Sequence, residues 1–454
     1  MHFKQTLSLR PDLSLDFTVK GQVRLTVQGL VWDLAPASAL HVKILRLIQS
    51  QCASPESLKE LAINFNGVEG LRLVLTLMDQ LTARGLLAHQ FYFNGALAFT
   101  VCPLSRPLQI HSISADNKYQ LSRFVILRIE EKCMVAESPL ASGVFKIADA
   151  RCWDLLYSWR KPASADDLTR SHPNLTPDYI SDCGSVLVSL NLLVEKENDA
   201  LDLWEWQDLQ FHSVTRGVYP HKPLGSLPRF PERDPLPALR ASLGFPVIPL
   251  PDPQKSSGNA TWEQVLEMRR SCTSFNVKPV ALATISKLLY SAAKIKEQGK
   301  NGKLELLKKP LPSPGGLHSL EIYLLAARCG DLVPALYRYQ AKNHQLELIC
   351  DWNKNLESLL RESAFAMQLK ESVPPALLLL ASRFGRVQWK YQSIAYSLIL
   401  KEAGVLLGAL HLTATALDLS SCILGAGNSP LFNAATGLDP YAESTVAEIA
   451  IGYS

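Results

Sequence analysis

No Cys-x-x-Cys pair occurs in this 454-residue chain, and none of its nine cysteines sits in a Cys/His cluster with zinc spacing. A structural zinc site and a thioredoxin-like redox motif are both excluded by that pattern. An odd number of scattered cysteines reads as free thiols in a reducing compartment, so a cytoplasmic location is expected. Met1-His2-Phe3-Lys4-Gln5 opens the sequence without an apolar signal core. There is no run of five basic residues, and the formal net charge is only +4, so charge calls for neither nucleic acid nor an anionic membrane. A Gly-x-Gly-x-x-Gly fingerprint after a strand is also missing, which removes an NAD domain. The longest apolar region, residues 394–419, carries Lys401, Glu402 and His411 near its centre. That placement fits a core or dimer-interface helix and no membrane span.

What remains is 47% hydrophobic and 19% charged, the balance of well-buried globular domains. Ten of the 28 prolines fall between Pro220 and Pro253. Proline at that density disfavours helix and central strand, so residues 213–258 read as a linker or wrapping segment. Ahead of it the same unit is read twice, as residues 1–105 and 106–212. In the first copy Val23–Val27 alternates as a strand, helical patterns follow over 41–51, 55–65 and 68–84, and Asn94-Gly95 marks a two-residue hairpin turn. In the second a strand over 124–129 precedes helices over 148–159, 165–170 and 177–190, then a strand at 191–195. Ala53-Ser54 and Leu58 recur as Ala163-Ser164 and Leu168, an offset of 110. Strand, three helices and hairpin is the order of a winged helix. The third helices offer Arg72 and Arg84 in one copy and no basic residue in the other, too little for DNA, so the favoured ligand is a peptide added as a strand.

Residues 259–454 form the last domain. Helices are expected over 261–270 and 281–294, strands over 321–327, 335–339, 346–349, 375–381 and 446–452, and one long helix over 391–417. Helices around a mixed sheet make the whole chain α+β.

Three motifs carry chemistry. Arg269-Arg270-Ser271 follows a helical stretch, where two guanidinium groups and a hydroxyl suit a phosphate. Pro312-Ser313-Pro314-Gly315-Gly316 delivers two glycines, free to take positive φ, just before a buried strand, and bare N–H groups there suit a flat ring. Taken alone, each is an ordinary helix end or turn. Downstream stand Trp389-Lys390-Tyr391, then Glu402 and Gly404 on the long helix, and the loop Gly425-Ala426-Gly427-Asn428. A carboxylate inside an apolar helix requires a partner, either a hydrogen bond behind a cofactor or a core arginine.

In this order, together with Leu336-Tyr337-Arg338-Tyr339 and His318-Ser319, the motifs of residues 259–454 resemble the SagB-type dehydrogenases. With two units ahead of that domain, the chain is most similar to the cyanobactin oxidases. The resemblance implies a nitroreductase-like fold binding FMN and two peptide-binding winged helices. It implies oxidation of thiazolines or oxazolines to thiazoles or oxazoles in a ribosomally made precursor peptide, with dioxygen reoxidising the flavin. A homodimer is implied as well. Lys390 and Tyr391 are then the candidates for proton abstraction, with the choice of base between them open. Arg269, Arg270, Ser271, Pro312, Ser313, Pro314, Gly315, Gly316, Glu402, Gly404 and Gly425 are the candidates for holding FMN. One departure stands out: where many members carry Arg-Arg-Ser-x-Arg, this chain has Thr273, leaving one phosphate contact without a charge. Two rival readings are a general FMN nitro or quinone reductase and a non-enzymatic peptide-binding adaptor.

Overall fold

The computed structural model describes residues 2–10, 13–17, 23–27, 30–34, 38–50, 53–104, 107–130, 132–217, 225, 232–253, 260–369 and 373–454. They fall into two compact units, Met1–Pro223 and Leu224–Ser454.

In the first unit, Val23–Val27 buries Val23, Leu25 and Val27 alternately while Arg24 pairs outward with Asp33 at 2.9 Å. Asn94 and Gly95, both at positive φ, turn Leu87–Phe93 back into Ala96–Pro103, as the Asn-Gly dipeptide predicts. The two expected helices after Pro55 are one element, Pro55–Ala83, broken at Asn66 and Gly67, where Gly67 takes a φ of 54°. The two stretches expected to repeat share several hydrogen bonds. The Leu7 N–H donates to Ala53 at 2.8 Å and the Tyr119 N–H to Ala163 at 3.0 Å. The next residue in each case, Ser54 or Ser164, caps a helix through a reciprocal capping box, a device that stabilises a helix by about 1 kcal/mol. Each third helix ends in a left-handed residue, Gly85 or Asn191. The N–H of Leu86 or Leu192 then returns to the carbonyl five residues earlier, Leu81 or Leu187, at 2.9 Å.

The copies differ after that point. The first continues into its hairpin, whereas the second has only Leu193–Val194, paired with Gln120–Leu121. Glu195-Lys196-Glu197-Asn198-Asp199 offers no alternating apolar face for a second strand. The hairpin Ile126–Glu130 and Cys133–Glu137 instead precedes the helices, and through Gly143–Ile147 it joins the first copy's hairpin in a six-stranded antiparallel sheet.

The second unit is organised by seven strands in the order Val247–Pro249, Gln345–Asp351, Ala335–Gln340, Leu320–Ala326, Ala376–Arg383, Glu443–Gly452 and Ser420–Ile423. Every neighbouring pair is antiparallel, which corrects the expected mixed sheet; the one parallel contact among the described residues is the isolated bridge Ser271–Ser421. Ala376–Arg383 is buried at every position because both faces of the sheet are covered. Leu378 and Leu380 face one core and Leu377 and Leu379 the other, each contributing about 2 kcal/mol of apolar burial. The helix Ala395–Ala416 lays Ile399, Ala403, Leu406, Leu410 and Ala414 onto the first of these cores at helical spacing. It starts four residues later than expected, and Tyr391 lies outside it, in an antiparallel bridge with Gly225.

Of the proline-rich segment, residues 218–224, 226–231 and 254–259 lie outside the described residues. Residues 213–216 belong to the helix Trp206–Arg216. The stretch 232–249 is a strap rather than a spacer. Its carbonyls at Leu236, Ala238 and Ala241 accept from Arg386 at 2.7 Å, Arg383 at 3.4 Å and Arg338 at 3.1 Å. Val247–Pro249 then adds an edge strand to the sheet, the position where a proline lacking its N–H is tolerated. Among the described residues two helices, Pro55–Ala83 and Ala395–Ala416, are long and apolar enough to cross a membrane; the first is broken and the second packs on the sheet. The eight cysteines among the described residues are all free thiols, and those residues hold no His/Cys/Asp/Glu group able to bind a metal.

Candidate active site

The Pro-Ser-Pro-Gly-Gly stretch folds as an extended Ser313 followed by a single turn, Pro314–Gly316. The Ser313 hydroxyl accepts the His318 N–H at 2.8 Å and closes the loop. Gly315, Gly316 and His318 all have positive φ, at 58°, 69° and 46°. Only glycine enters that region without strain.

Gly315 is also where space is shortest. A β-carbon there would stand 3.0 Å from the Tyr391 hydroxyl and 3.1 Å from Lys390 Nζ. The two predicted proton-handling groups therefore converge on the backbone of the predicted cofactor loop. The Lys390 ammonium also lies 5.2 Å from the centroid of the Tyr391 ring. Both residues sit just past the short helix Phe384–Gln388, their N–H groups donating to the Val387 carbonyl at 3.1 and 2.8 Å. Gly225 passes over them so closely that a β-carbon would fall 2.8 Å from Tyr391 Cα.

A cavity of about 210 Å³ adjoins the loop, walled by Pro312, His318, Lys309, Glu321, Glu402 and Arg338 among others. Glu402 projects into it from the long helix and accepts from the Ser319 hydroxyl at 2.9 Å. Its partner is thus a serine of the loop's exit and no core arginine. Burial raises the Glu402 carboxyl above the ordinary range against the opposing pull of that serine. Burial likewise lowers the Lys309 amine, with Glu321 and Glu402 partly restoring it. His318 is pushed down to about 4, first by burial and then by Lys309, so its ring is neutral at pH 7. A carboxyl and an amine both drawn toward their neutral forms make this wall competent to hold or pass a proton.

The remaining predicted residues are gathered elsewhere. Arg269 Nη1 donates to His411 Nε2 at 3.0 Å. A guanidinium only donates, so the His411 proton is on Nδ1, directed at the Ser421 hydroxyl 3.1 Å away. Burial and Arg269 both lower the His411 pKa, keeping it neutral. Ser271 bridges to Ser421, while Arg270 is exposed with no ion-pair partner among the described residues. Thr273 and Gly425 line one shallow hollow, and a β-carbon on Gly425 would meet nothing within 4 Å. Nine helical residues separate Glu402 from His411, about 13 Å along the axis. Within one chain the arginine group and the glycine-loop group do not meet. Gly404 points outward into open space with Leu400 and Val405 exposed beside it.

Sequence reasoning overlooked Lys309, and only its position three residues before Pro312 could have marked it. It also missed the roles of Ser319, Arg386, His411 and Ser421; of these only His411, between Leu410 and Leu412, stands out as a polar residue in apolar surroundings. Arg270, without an ion-pair partner among the described residues, and Ser271 have the donors that a flavin phosphate would need, and the Gly315 cradle, which a β-carbon would fill, has the space that a flat ring would need, but in one chain the two groups stand apart.

Residues 119–218 match the protein-family model of the cyanobactin oxidase ThcOx, and residues 266–453 match that of the nitroreductase family. A Methanocaldococcus jannaschii protein bearing a nitroreductase name is 26% identical over 164 residues, 36% of this chain and 78% of its own length. Among solved structures, a Ralstonia eutropha chain named as a nitroreductase is 23% identical over 49% of this chain and 96% of its own, with a TM-score of 0.38. The E. coli microcin synthetase McbBCD complex, with truncated pro-MccB17 bound, is 21% identical over 51% of this chain and 88% of its own, with a TM-score of 0.37. The two family matches bear out the resemblance drawn from the motifs.

Proposed function

We propose, on the premise of an oxidoreductase that joins a ThcOx-type region to a nitroreductase-family domain, that this protein oxidises azoline rings in a precursor peptide to azoles. The observation that carries the reading is the convergence of Tyr391 Oη and Lys390 Nζ on Gly315. The ring carbon of a thiazoline or oxazoline that bears the peptide carbonyl has an acidified C–H. A base held at the glycine loop takes that proton, either the Tyr391 oxygen with Lys390 steadying the charge or the Lys390 amine itself. FMN, held by Arg269, Arg270, Ser271 and Gly425 at the phosphate end and by Pro312–Gly316 at the ring, would supply the acceptor for the hydride leaving the neighbouring carbon, with dioxygen as terminal oxidant. Ser319 fixes the Glu402 carboxyl behind the loop, and Gly315 keeps the space between loop and base free.

The separation of the two residue groups supports a homodimer. The outward side of Ala395–Ala416, with Leu400, Gly404 and Val405, is a seam on which a second copy can pack. One copy's arginine group then meets the other's glycine loop. The N-terminal repeat is read as a tandem of peptide-binding winged helices, the peptide adding as a strand along an open edge of the six-stranded sheet.

The test is to purify the full chain, identify any released chromophore, and incubate it aerobically with a thiazoline-containing precursor peptide. Loss of two hydrogens per ring by mass spectrometry, together with bound FMN, is the expected result. A flavin-loaded protein that consumes a nicotinamide and a nitroarene but leaves the thiazoline intact assigns it to general reductases. A chain that refuses FMN assigns it to peptide-binding adaptors.

A further inference from the structure

Two arginines in the second unit are almost wholly inaccessible, Arg338 at 1% and Arg386 at 0%. Arg338 has a carboxylate partner, Glu347, at 2.5 Å. Arg386 has none. Among the described residues its guanidinium donates to backbone carbonyls: to Leu317 from Nε at 3.2 Å and Nη2 at 2.7 Å, to Glu305 from Nη2 at 2.8 Å, and to Leu236 from Nη1 at 2.7 Å. Burying a cation without a carboxylate in direct contact is costly, and these three carbonyls come from three separate segments. Leu317 is two residues past Gly315, Glu305 lies in the strand Leu304–Lys308, and Leu236 lies in the strap. The backbone of Arg386 belongs to the short helix whose end presents Lys390 and Tyr391. One planar group therefore ties the glycine loop to the helix that faces it.

The strap reinforces the same turn from outside. The Trp389 indole N–H donates to the Arg233 carbonyl at 2.8 Å, and Leu236 packs 3.0 Å from where a β-carbon on Gly385 would stand. Burial and neighbouring Arg383 pull the Arg386 pKa down only to about 10, so the group stays charged and its five donors stay in place at neutral pH.

We propose that Arg386 is a positioning residue that sets the spacing between Gly315 and the Lys390–Tyr391 pair. It touches neither substrate nor cofactor; it acts through the Leu317 carbonyl on one side and its own helix on the other. The inference rests on the reading of Lys390 and Tyr391 as the proton-handling pair. A lysine in its place carries three donors on a single atom and lacks the planar fork whose separate nitrogens span the three segments.

The experiment compares full-length parent, Arg386→Lys and Arg386→Met by amide hydrogen exchange, FMN binding and steady-state kinetics on a thiazoline peptide. Gly316 and Leu317 donate to Ser313 and Pro314, and Lys390 and Tyr391 donate to Val387, so all four amides report local opening. The expected result is faster exchange in both segments together in Arg386→Met, smaller in Arg386→Lys, with amides of Ala376–Arg383 unchanged. With FMN loaded, kcat falls by roughly a hundredfold while KM stays within about twofold, the cost of a misplacement on the order of 1 Å. Faster exchange across the whole sheet, or in one segment alone, overturns the proposal and leaves Arg386 an ordinary structural group. So does parental kcat in the flavin-loaded variant. A parent that oxidises no thiazoline overturns the functional reading, and the exchange arm still decides the coupling.

Discussion

The Tyr391 hydroxyl stands 3.0 Å from the point that a β-carbon on Gly315 would occupy. The loop that looks built for a flat ring and the dipeptide that looks built for proton transfer are therefore one surface. A methyl group on Gly315 would crowd that surface.

Gly315→Ala is expected to disturb both halves. Positive φ alone costs an L-residue about 1–2 kcal/mol, and the new methyl must push Tyr391 and Lys390 away. Thermal melting and turnover of the same sample check this: a Tm lowered by several degrees with activity down more than tenfold. Parental turnover would show that the pair does not work at this loop.

Tyr391→Phe and Lys390→Ala separate the two candidate bases. Each is expected to leave FMN loading near the parental level, since neither is assigned to the phosphate end. The variant lacking the base loses azole formation outright, while the other retains a fraction that varies with pH. Single-turnover mass spectrometry on flavin-loaded protein distinguishes them.

Glu402 predicts a pH signature in stability. Its carboxyl is raised by burial, so the folded chain keeps a proton that the unfolded chain releases in the ordinary carboxyl range. Stability from this group falls as pH rises from that range through the raised value. His318, lowered to about 4, acts in the opposite direction between that pH and the ordinary histidine value. The difference in Tm between parent and Glu402→Gln, followed from pH 4 to 8, isolates the first effect and should shift in favour of the variant as pH rises. Ser319→Ala removes the donor to Glu402 and is expected to cost about 1–3 kcal/mol in denaturant unfolding.

Arg270→Ala should weaken FMN binding by at least about tenfold, the scale of one charge-assisted hydrogen bond. Thr273→Arg restores a charge beside Gly425 and should tighten it, with the gain shrinking as salt rises. Fluorescence titration of FMN into the flavin-free protein reads both. Arg270→Ala binding FMN like the parent would move the phosphate elsewhere.

Gly404→Arg places a charge on the exposed side of the long helix, where nothing in the same chain lies within 4 Å of the new side chain's first carbon. Sedimentation should show a monomer that also fails to retain FMN. A dimer retaining FMN would place the interface on another face.

Parts of both units are legible in the sequence because local signals and final environment agree. Residues 376–381 are apolar throughout and become a central strand covered on both faces. Asn94-Gly95 and residues 341–344 carry their turns in their own backbone preferences. Other elements depend on partners far along the chain. Val247–Pro249 is a strand only because Gln345–Asp351 offers an edge. The long helix begins at Ala395 rather than near Tyr391, where the backbone bridges to Gly225. Leu193–Val194 is a strand because Gln120–Leu121, from before the preceding helices, offers it a partner.

The sequence by itself determined which residues can do chemistry. Glycines can take positive φ, a lysine and a tyrosine can exchange protons, and arginines can fork onto a phosphate; these are properties of single residues and their immediate neighbours. Tertiary structure alone decided which of them meet. It brought Lys390 and Tyr391 to Gly315, gave Glu402 to Ser319 rather than to an arginine, and drew Lys309 into the cavity wall. It left Arg269, Arg270 and Ser271 about two-fifths of the long helix away. Distances of this kind follow from strand order and from which carbonyls a buried guanidinium finds across 69 to 150 residues of chain, and no local pattern encodes them.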